Sequence, residues 1–342
     1  MLEKKLKILM GNNTLDWLAG SETFTYTLAN ALKKLGHEVT AFSPHLGFIA
    51  MQLEKDGIKC VSGFSQKQEA HKFQLALEEE SDEGFDIIIC NHYEITKFLH
   101  FRFPEVPIIA TVHGILHADV NTGQIWPEHP VTEFKVDQYV AVSEEVQSLL
   151  KDVYGIESVI IRNFFDLEIF KWQDYAGNVP KNFLINSNYL NLEDESVKTL
   201  KEVVKHFGGQ FKAVGGNFSG SWDLQEIIKT VDVVVGMGRS VMEGFAMGKI
   251  ALVQGRWGTG GVITPETYEA IRKTNFSGRN SEGKYATKEE LIAMIEGAVN
   301  VKQFEWQKET ILKEHNAQEA AKRFLEIAER LRHENNRPNP NP

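Results

Sequence analysis

A short apolar run at residues 6–10 gives way to a polar stretch. Phe24, Leu28, Ala31, Leu32 and Leu35 then recur at helical spacing. This change of period, strand to helix and back, repeats along most of the chain. It predicts strands at 6–10, 39–42, 85–90, 106–112, 138–142 and 158–161, with helices at 21–35 and 144–152. Ser21 and Ser143 are the expected N-caps, and Gly36 stops the first helix. Residues 163–171 read as a linker. A second series follows: strand 183–186, helix 195–206, strand 211–214, helix 224–230, strand 231–235, a short helix closed by Gly248, and strand 250–253. A helix at 288–299 and a long charged helix over 305–332 complete the pattern. Such alternation predicts α/β architecture, with two doubly wound, Rossmann-like domains. In sheets of this kind ligands bind outside the carboxyl ends of the strands.

Length and charge narrow the picture. A chain of 342 residues is long for one core, so two domains are expected. The net charge of −10 weighs against nucleic-acid partners and, less strongly, against an electrostatic membrane surface. Cys60 and Cys90 read as buried thiols of a reducing compartment, and their spacing suits no metal. No run is long and apolar enough for a transmembrane segment. The start, MLEKKLKILM, is too short and too charged for a signal peptide. A cytoplasmic location is therefore expected, with peripheral association at a membrane left open. The tail at 333–342, HENNRPNPNP, is expected to be disordered.

The stretch from 231 to 266, VDVVVGMGRSVMEGFAMGKIALVQGRWGTGGVITPE, carries the most chemistry. A β-branched run is broken by Gly236 and Gly238. A short helix, a second strand and a glycine-rich loop follow. A strand-to-helix turn aims free N–H groups and a helix dipole at one point, which suits a phosphate, and Arg239 adds a cation. Ser240 and Glu243 have the spacing of a capping box. Gly20 and Ser21 occupy the matching turn after the first strand.

Five segments in order resemble the GT-B nucleotide-sugar glycosyltransferases, and among them the retaining family 4. They are LAGSETFTYTLANALKKLGHEVTAF at 18–42, ATVHGI at 110–115, YVAVSEEVQSLL at 139–150, IIRNFFDLEIFK at 160–171 and GRSVMEGFAMGKIALV at 238–253. The likeness spans most of the chain from Leu6 to Glu266. It implies two domains facing across a cleft: an acceptor-side domain at 1–164 and a nucleotide-sugar-binding domain at 165–304. A C-terminal helix at 305–332 would pack back on the first. It also implies transfer of a hexose from a UDP- or GDP-sugar, the donor being a co-substrate with no further cofactor. The acceptor (glycan, lipid or small metabolite) is not implied.

The resemblance assigns roles by position. Arg239 and His113 are the catalytic candidates, Arg239 stabilising the leaving diphosphate and His113 holding the transferred sugar. Glu243 would accept hydrogen bonds from the ribose hydroxyls. Gly20, Ser21, Gly215, Gly238, Ser240, Gly260 and Gly261 would border the donor, together with Gly216 and Gly258. Trp17 and Asp119, with His117 beside it, are candidates for acceptor contact. No Asp-x-Asp motif is present, so a metal-independent reaction is expected. The chain departs from the family at three places. Val235 stands where the first glutamate of a Glu-x7-Glu pair is usual. The segment at 186–196, NSNYLNLEDES, lacks the usual Arg and Lys, a charge that Arg239 could supply with Lys249 or Arg256. Phe164 replaces a common hinge glycine. These departures keep two other readings open: a nucleotide-sugar-binding protein without turnover, and a GT-B sugar-nucleotide 2-epimerase.

Overall fold

A computed structural model describes residues 5–62, 84–118, 125–127, 130, 132–174, 179–215, 221–299 and 301–335. The chain divides into two compact units, one of residues 1–142, 146–164 and 317–342 and one of residues 143–145 and 165–316.

The first unit begins β1 (Lys7–Gly11), α1 (Gly20–Lys34), β2 (Glu38–Ser43), α2 (Phe48–Lys55) and β3 (Lys59–Ser62). It continues β4 (Ile87–Asn91), α3 (Tyr93–Arg102), β5 (Ile108–Val112), the antiparallel pair β6 (Leu116–Ala118) and β7 (Ile125–Pro127), then β8 (Gln138–Ala141), α4 (Glu144–Tyr154) and β9 (Ser158–Ile160). The seven-stranded sheet runs β3-β2-β1-β4-β5-β8-β9, parallel throughout. Its central strands, KILMG, IIICN and IIATV, are apolar on both faces because helices cover both. The sheet grows one way from β1 to β3 and the other way from β4, so its switch point lies between β1 and β4.

The second unit holds β10 (Asn182–Asn186), α5 (Glu195–His206), β11 (Gln210–Val214), α6 (Leu224–Lys229), β12 (Val233–Gly236), α7 (Arg239–Ala246), β13 (Ile250–Gly255) and β14 (Gly258–Val262). Three helices follow: α8 (Tyr268–Lys273), α9 (Lys288–Ala298) and α10 (Val301–Glu314). The order is β11-β10-β12-β13-β14, with β14 antiparallel at the edge, and the switch point falls between β10 and β12. Val233 and Val235 pack with α5 and α9 residues such as Val197 and Leu291. Val234, pointing the other way, meets Ile228 and Met247.

The last helix, α11 (Ala317–Asn335), belongs to the first unit and packs on α1. Phe324 meets the edge of Phe24 at 6.3 Å. Arg332 pairs with Asp86 at 2.9 Å, and Arg323 donates to the Ile160 carbonyl at 2.7 Å. Where the chain leaves and re-enters this unit, Phe165 N–H donates to His315 O at 2.9 Å.

Several sequence expectations are corrected. The single helix over 305–332 is two, broken around His315, which is fully buried and hydrogen-bonded through Nε2 to the Tyr268 hydroxyl at 2.9 Å. That bond and the Phe165 contact stop the helix. Ser21 is not an N-cap. Helix α1 begins one residue earlier behind Ala19, and no side chain caps it. The glycine-rich loop at 258–261 is strand β14. The expected tail lies outside the described residues beyond 335.

Candidate functional site

In the second unit the site forms at the carboxyl ends of β10 and β12, at the switch point. Asn186 ends β10 opposite Gly236. Its amide Nδ2 donates to Ser240 O at 2.9 Å and to Glu243 Oε2 at 3.1 Å. One buried amide thus ties the strand to the first turn of α7 and orients the carboxylate. The other oxygen, Oε1, faces Arg239 Nε at 3.5 Å. The Arg239 guanidinium lies over the Phe165 ring, 4.6 Å from its centroid. Both side chains of the pair are about nine-tenths buried, at 10% and 11% exposure. Burial pushes the Glu243 carboxyl up to about 7, against the opposing pull of Arg239 and Asn186.

The capping box is absent. Gly238 precedes α7 with φ 56°, and no side chain caps the helix. Glu243 instead bonds across to Asn186, so its role is set by β10 and not by Ser240. The Gly238 N–H is taken by Phe276 O at 2.7 Å. Lys249 cannot serve a ligand here. It precedes the amino end of β13, and its Nζ donates to Lys229 O at 3.3 Å.

The glycines separate by cause. A Cβ on Gly215 would lie 2.1 Å from Ser187 O, and one on Gly260 would lie 2.8 Å from Asn280 Oδ1, so packing alone demands both. Gly261 has φ +103° with open space around a Cβ, and Gly20, at the start of α1, also has open space. Gly216 and Asp119 lie outside the described residues, as does the His117 side chain.

In the first unit His113 follows β5. Its Nε2 lies 2.8 Å from Asn91 Oδ1. Asn91 Nδ2 donates to Thr25 Oγ1 at 2.9 Å, and that hydroxyl donates to Ser21 O at 2.9 Å. The chain of donors fixes the protons. Because the Thr25 hydrogen is spent on Ser21, Asn91 must present its amine to Thr25 and its oxygen to His113. Nε2 of His113 therefore carries the hydrogen. Phe24 holds the ring edge-on at 4.8 Å. Asn91 is 1% exposed, so Asn91→Ala is expected to cost about 1–3 kcal/mol, read by urea unfolding, because it removes the acceptor of His113 and the donor to buried Thr25. Ser21 Oγ donates to Glu22 Oε2 at 2.8 Å, and burial raises the Glu22 carboxyl pKa. Trp17 is 69% exposed and packs into no core.

Arg239, Ser240, Gly238 and Glu243 thus converge in the second unit, whereas His113, Ser21 and Gly20 share the first. Sequence reasoning missed Asn186, Asn91 and Glu22. The signal for the two asparagines was present: each is a polar residue closing an apolar strand, where a side chain reaches the next helix.

Residues 18–169 match the family model of Glycosyltransferase Family 4. A glycosyltransferase from Rickettsia africae ESF-5 is 16% identical and has a TM-score of 0.63, with 96% of this chain and 98% of that one covered. HepE of Anabaena, crystallised with UDP-glucose, is 15% identical at TM-score 0.60, covering 95% of this chain and 100% of its own. The calicheamicin glycosyltransferase CalG4 is 12% identical at TM-score 0.53, covering 96% and 99%. Among curated proteins, no sequence matches. The fold is GT-B, and residues 18–169 resemble family 4.

Proposed function

We propose that the chain is a retaining glycosyltransferase that moves a hexose from a UDP-sugar to a glycan, lipid or small-metabolite acceptor. The observation that carries this reading is Glu243, held by Asn186 at the switch point beside the start of α7. A carboxylate so placed can accept from both ribose hydroxyls of a nucleotide. The adjacent N–H groups of α7 face the position of its phosphates. Transfer builds negative charge on the diphosphate, and preorganised donors stabilise it without reorganising. That HepE was crystallised with UDP-glucose supports uridine over guanosine as the base for this reading.

In the first unit, His113, oriented by Asn91, would hold the transferred sugar. The reaction is proposed to need no metal and to occur in the cytoplasm. Among the described residues no helix is long and apolar enough to cross a membrane. One observation supports a second reading, donor binding without turnover. Val235, 1% exposed, faces the core, so no side chain at that position can offer the site a carboxylate.

The test is a thermal-shift screen with UDP, GDP, ADP and TDP, followed by mass analysis after incubation with the matching sugar nucleotide. A shift with UDP and release of UDP are expected. A shift without release favours the binding protein. A second sugar nucleotide of the same mass, resolved from the donor by chromatography, identifies an epimerase.

A further inference from the structure

The two-residue link between β13 and β14 is Arg256-Trp257, flanked by the paired Gly255 and Gly258. This tip stands at the carboxyl end of β13, next to the turn that starts α7. A Cβ on Gly255 would lie 2.5 Å from Met237 Sδ, which shows how closely the two turns approach. Tyr285 fixes the tip by donating its hydroxyl to Gly255 O at 3.1 Å. The Arg256 guanidinium lies 4.7 Å from the Tyr189 ring centroid and 4.6 Å from that of Trp257. Tyr189 belongs to the segment following β10, where the family's diphosphate cations are missing.

Three cations were candidates for that lost charge. Arg239 is buried against Glu243 and Phe165, and Lys249 lies at the far end of its strand. Arg256 differs from both. It is exposed, and among the described residues it forms no ion pair and no side-chain hydrogen bond. A guanidinium that contacts aromatic rings through its face keeps its N–H edge for a ligand. That edge matches two oxygens of a phosphate.

We propose that Arg256, held by Tyr189 and Trp257, is the cation that binds the diphosphate of a nucleoside diphosphate in this unit. The proposal rests on the donor-site reading above, and it moves the diphosphate cation from the β10 segment to the β13–β14 tip. The rings position the guanidinium, so the phosphate meets a charge that is already oriented. Tyr189 and Trp257 are positioning residues in this scheme.

The experiment is calorimetric titration of the full chain with UDP and GDP, each compared with its nucleoside. Arg256→Ala is expected to weaken diphosphate binding tenfold or more and to leave nucleoside binding unchanged. Arg256→Lys should recover only part, having lost the planar fork. Arg256→Gln, closer in size, guards against a local packing defect and should behave like the alanine variant. Unchanged diphosphate affinity in Arg256→Ala would overturn the role of Arg256 and leave the donor reading standing. Equal losses for diphosphate and nucleoside would also overturn it, placing the base on the platform. Failure of the unmodified chain to bind either diphosphate would remove the donor reading and this proposal together.

Discussion

Glu243→Ala should lower kcat/KM for the sugar nucleotide by about 10²-fold or more. Two hydroxyl donors lose a charged acceptor, and hydrogen bonds to charged groups are worth about 1.5–3 kcal/mol each. The same residue predicts a pH dependence. Its folded pKa is about 7, above the ordinary 4.5. Ribose hydroxyls need the ionised form as acceptor, so UDP binding should strengthen as pH rises through about 7. Stability runs the opposite way. Between 4.5 and about 7 the unfolded chain binds fewer protons than the folded one, so stability falls as pH rises across that window and levels above it. Glu243→Gln keeps an acceptor for Asn186 and cannot ionise. It should flatten both slopes. Arg239→Ala removes the cation that lowers Glu243, so the inflection should move above 7 and UDP binding and turnover near neutrality should drop. UDP titrations from pH 5 to 9 on the three variants measure these effects, and an unmoved inflection in Arg239→Ala would show that the pair is not coupled.

Phe24→Ala is expected to be the most destabilising single change in the first unit, at about 3–5 kcal/mol. The ring is fully buried and touches His113 at 4.8 Å, Phe164 at 4.7 Å and Phe324 at 6.3 Å. It therefore joins the end of β5, the exit of the unit and α11. Truncation leaves a cavity among three aromatic neighbours that the helices cannot close without shifting. Urea unfolding followed by tryptophan fluorescence should show a lower midpoint, and Phe24→Leu should lose much less. If Phe24→Ala unfolds at the original midpoint, the α1–α11 contact does not support this unit. His113 adds a second reading of the same variant. Its ring loses its edge contact, so turnover should drop by more than binding does.

Much of the fold was legible because buried parallel strands carry a plain signal. The runs around Ile8, Ile88, Ile109 and Val234 are apolar on both faces, and helix α5 was located residue for residue from its period. What stayed hidden had mixed patterns. Helix α3, YEITKFLHFR, buries Ile95 and Leu99 but exposes Phe101 at 68%, which blurs its apolar face. Strand β14, GTGGV, reads as a loop because glycine has no strand preference of its own, and only pairing with β13 makes it one. The site was half legible. Glu243 and Arg239 could be found from the resemblance and the glycine turn, and Asn186 is marked as a polar residue closing an apolar strand, but their pairing could not be read. Asn186 lies 57 positions before Glu243, and nothing local to either residue announces the bond. Arg256 appeared only as one of several spare cations, because its distinction depends on the two rings beside it.

The placement of α11 bears on how a ribosome would deliver this molecule. The first unit is made of the earliest residues and of the latest, with the whole second unit synthesised between them. Until residues 317–335 emerge, the face of α1 that carries Phe24 lacks the part of its cover that Phe324 and α11 supply. A nascent chain must therefore hold an open apolar surface throughout synthesis of residues 165–316, whereas the second unit can close as soon as its own last helix is complete. Maturation is ordered inside-out, and the oldest sequence is the last to be sealed. The same arrangement makes a fragment of residues 1–164 a poor candidate for independent expression, and residues 317–335 a natural complementing peptide for it.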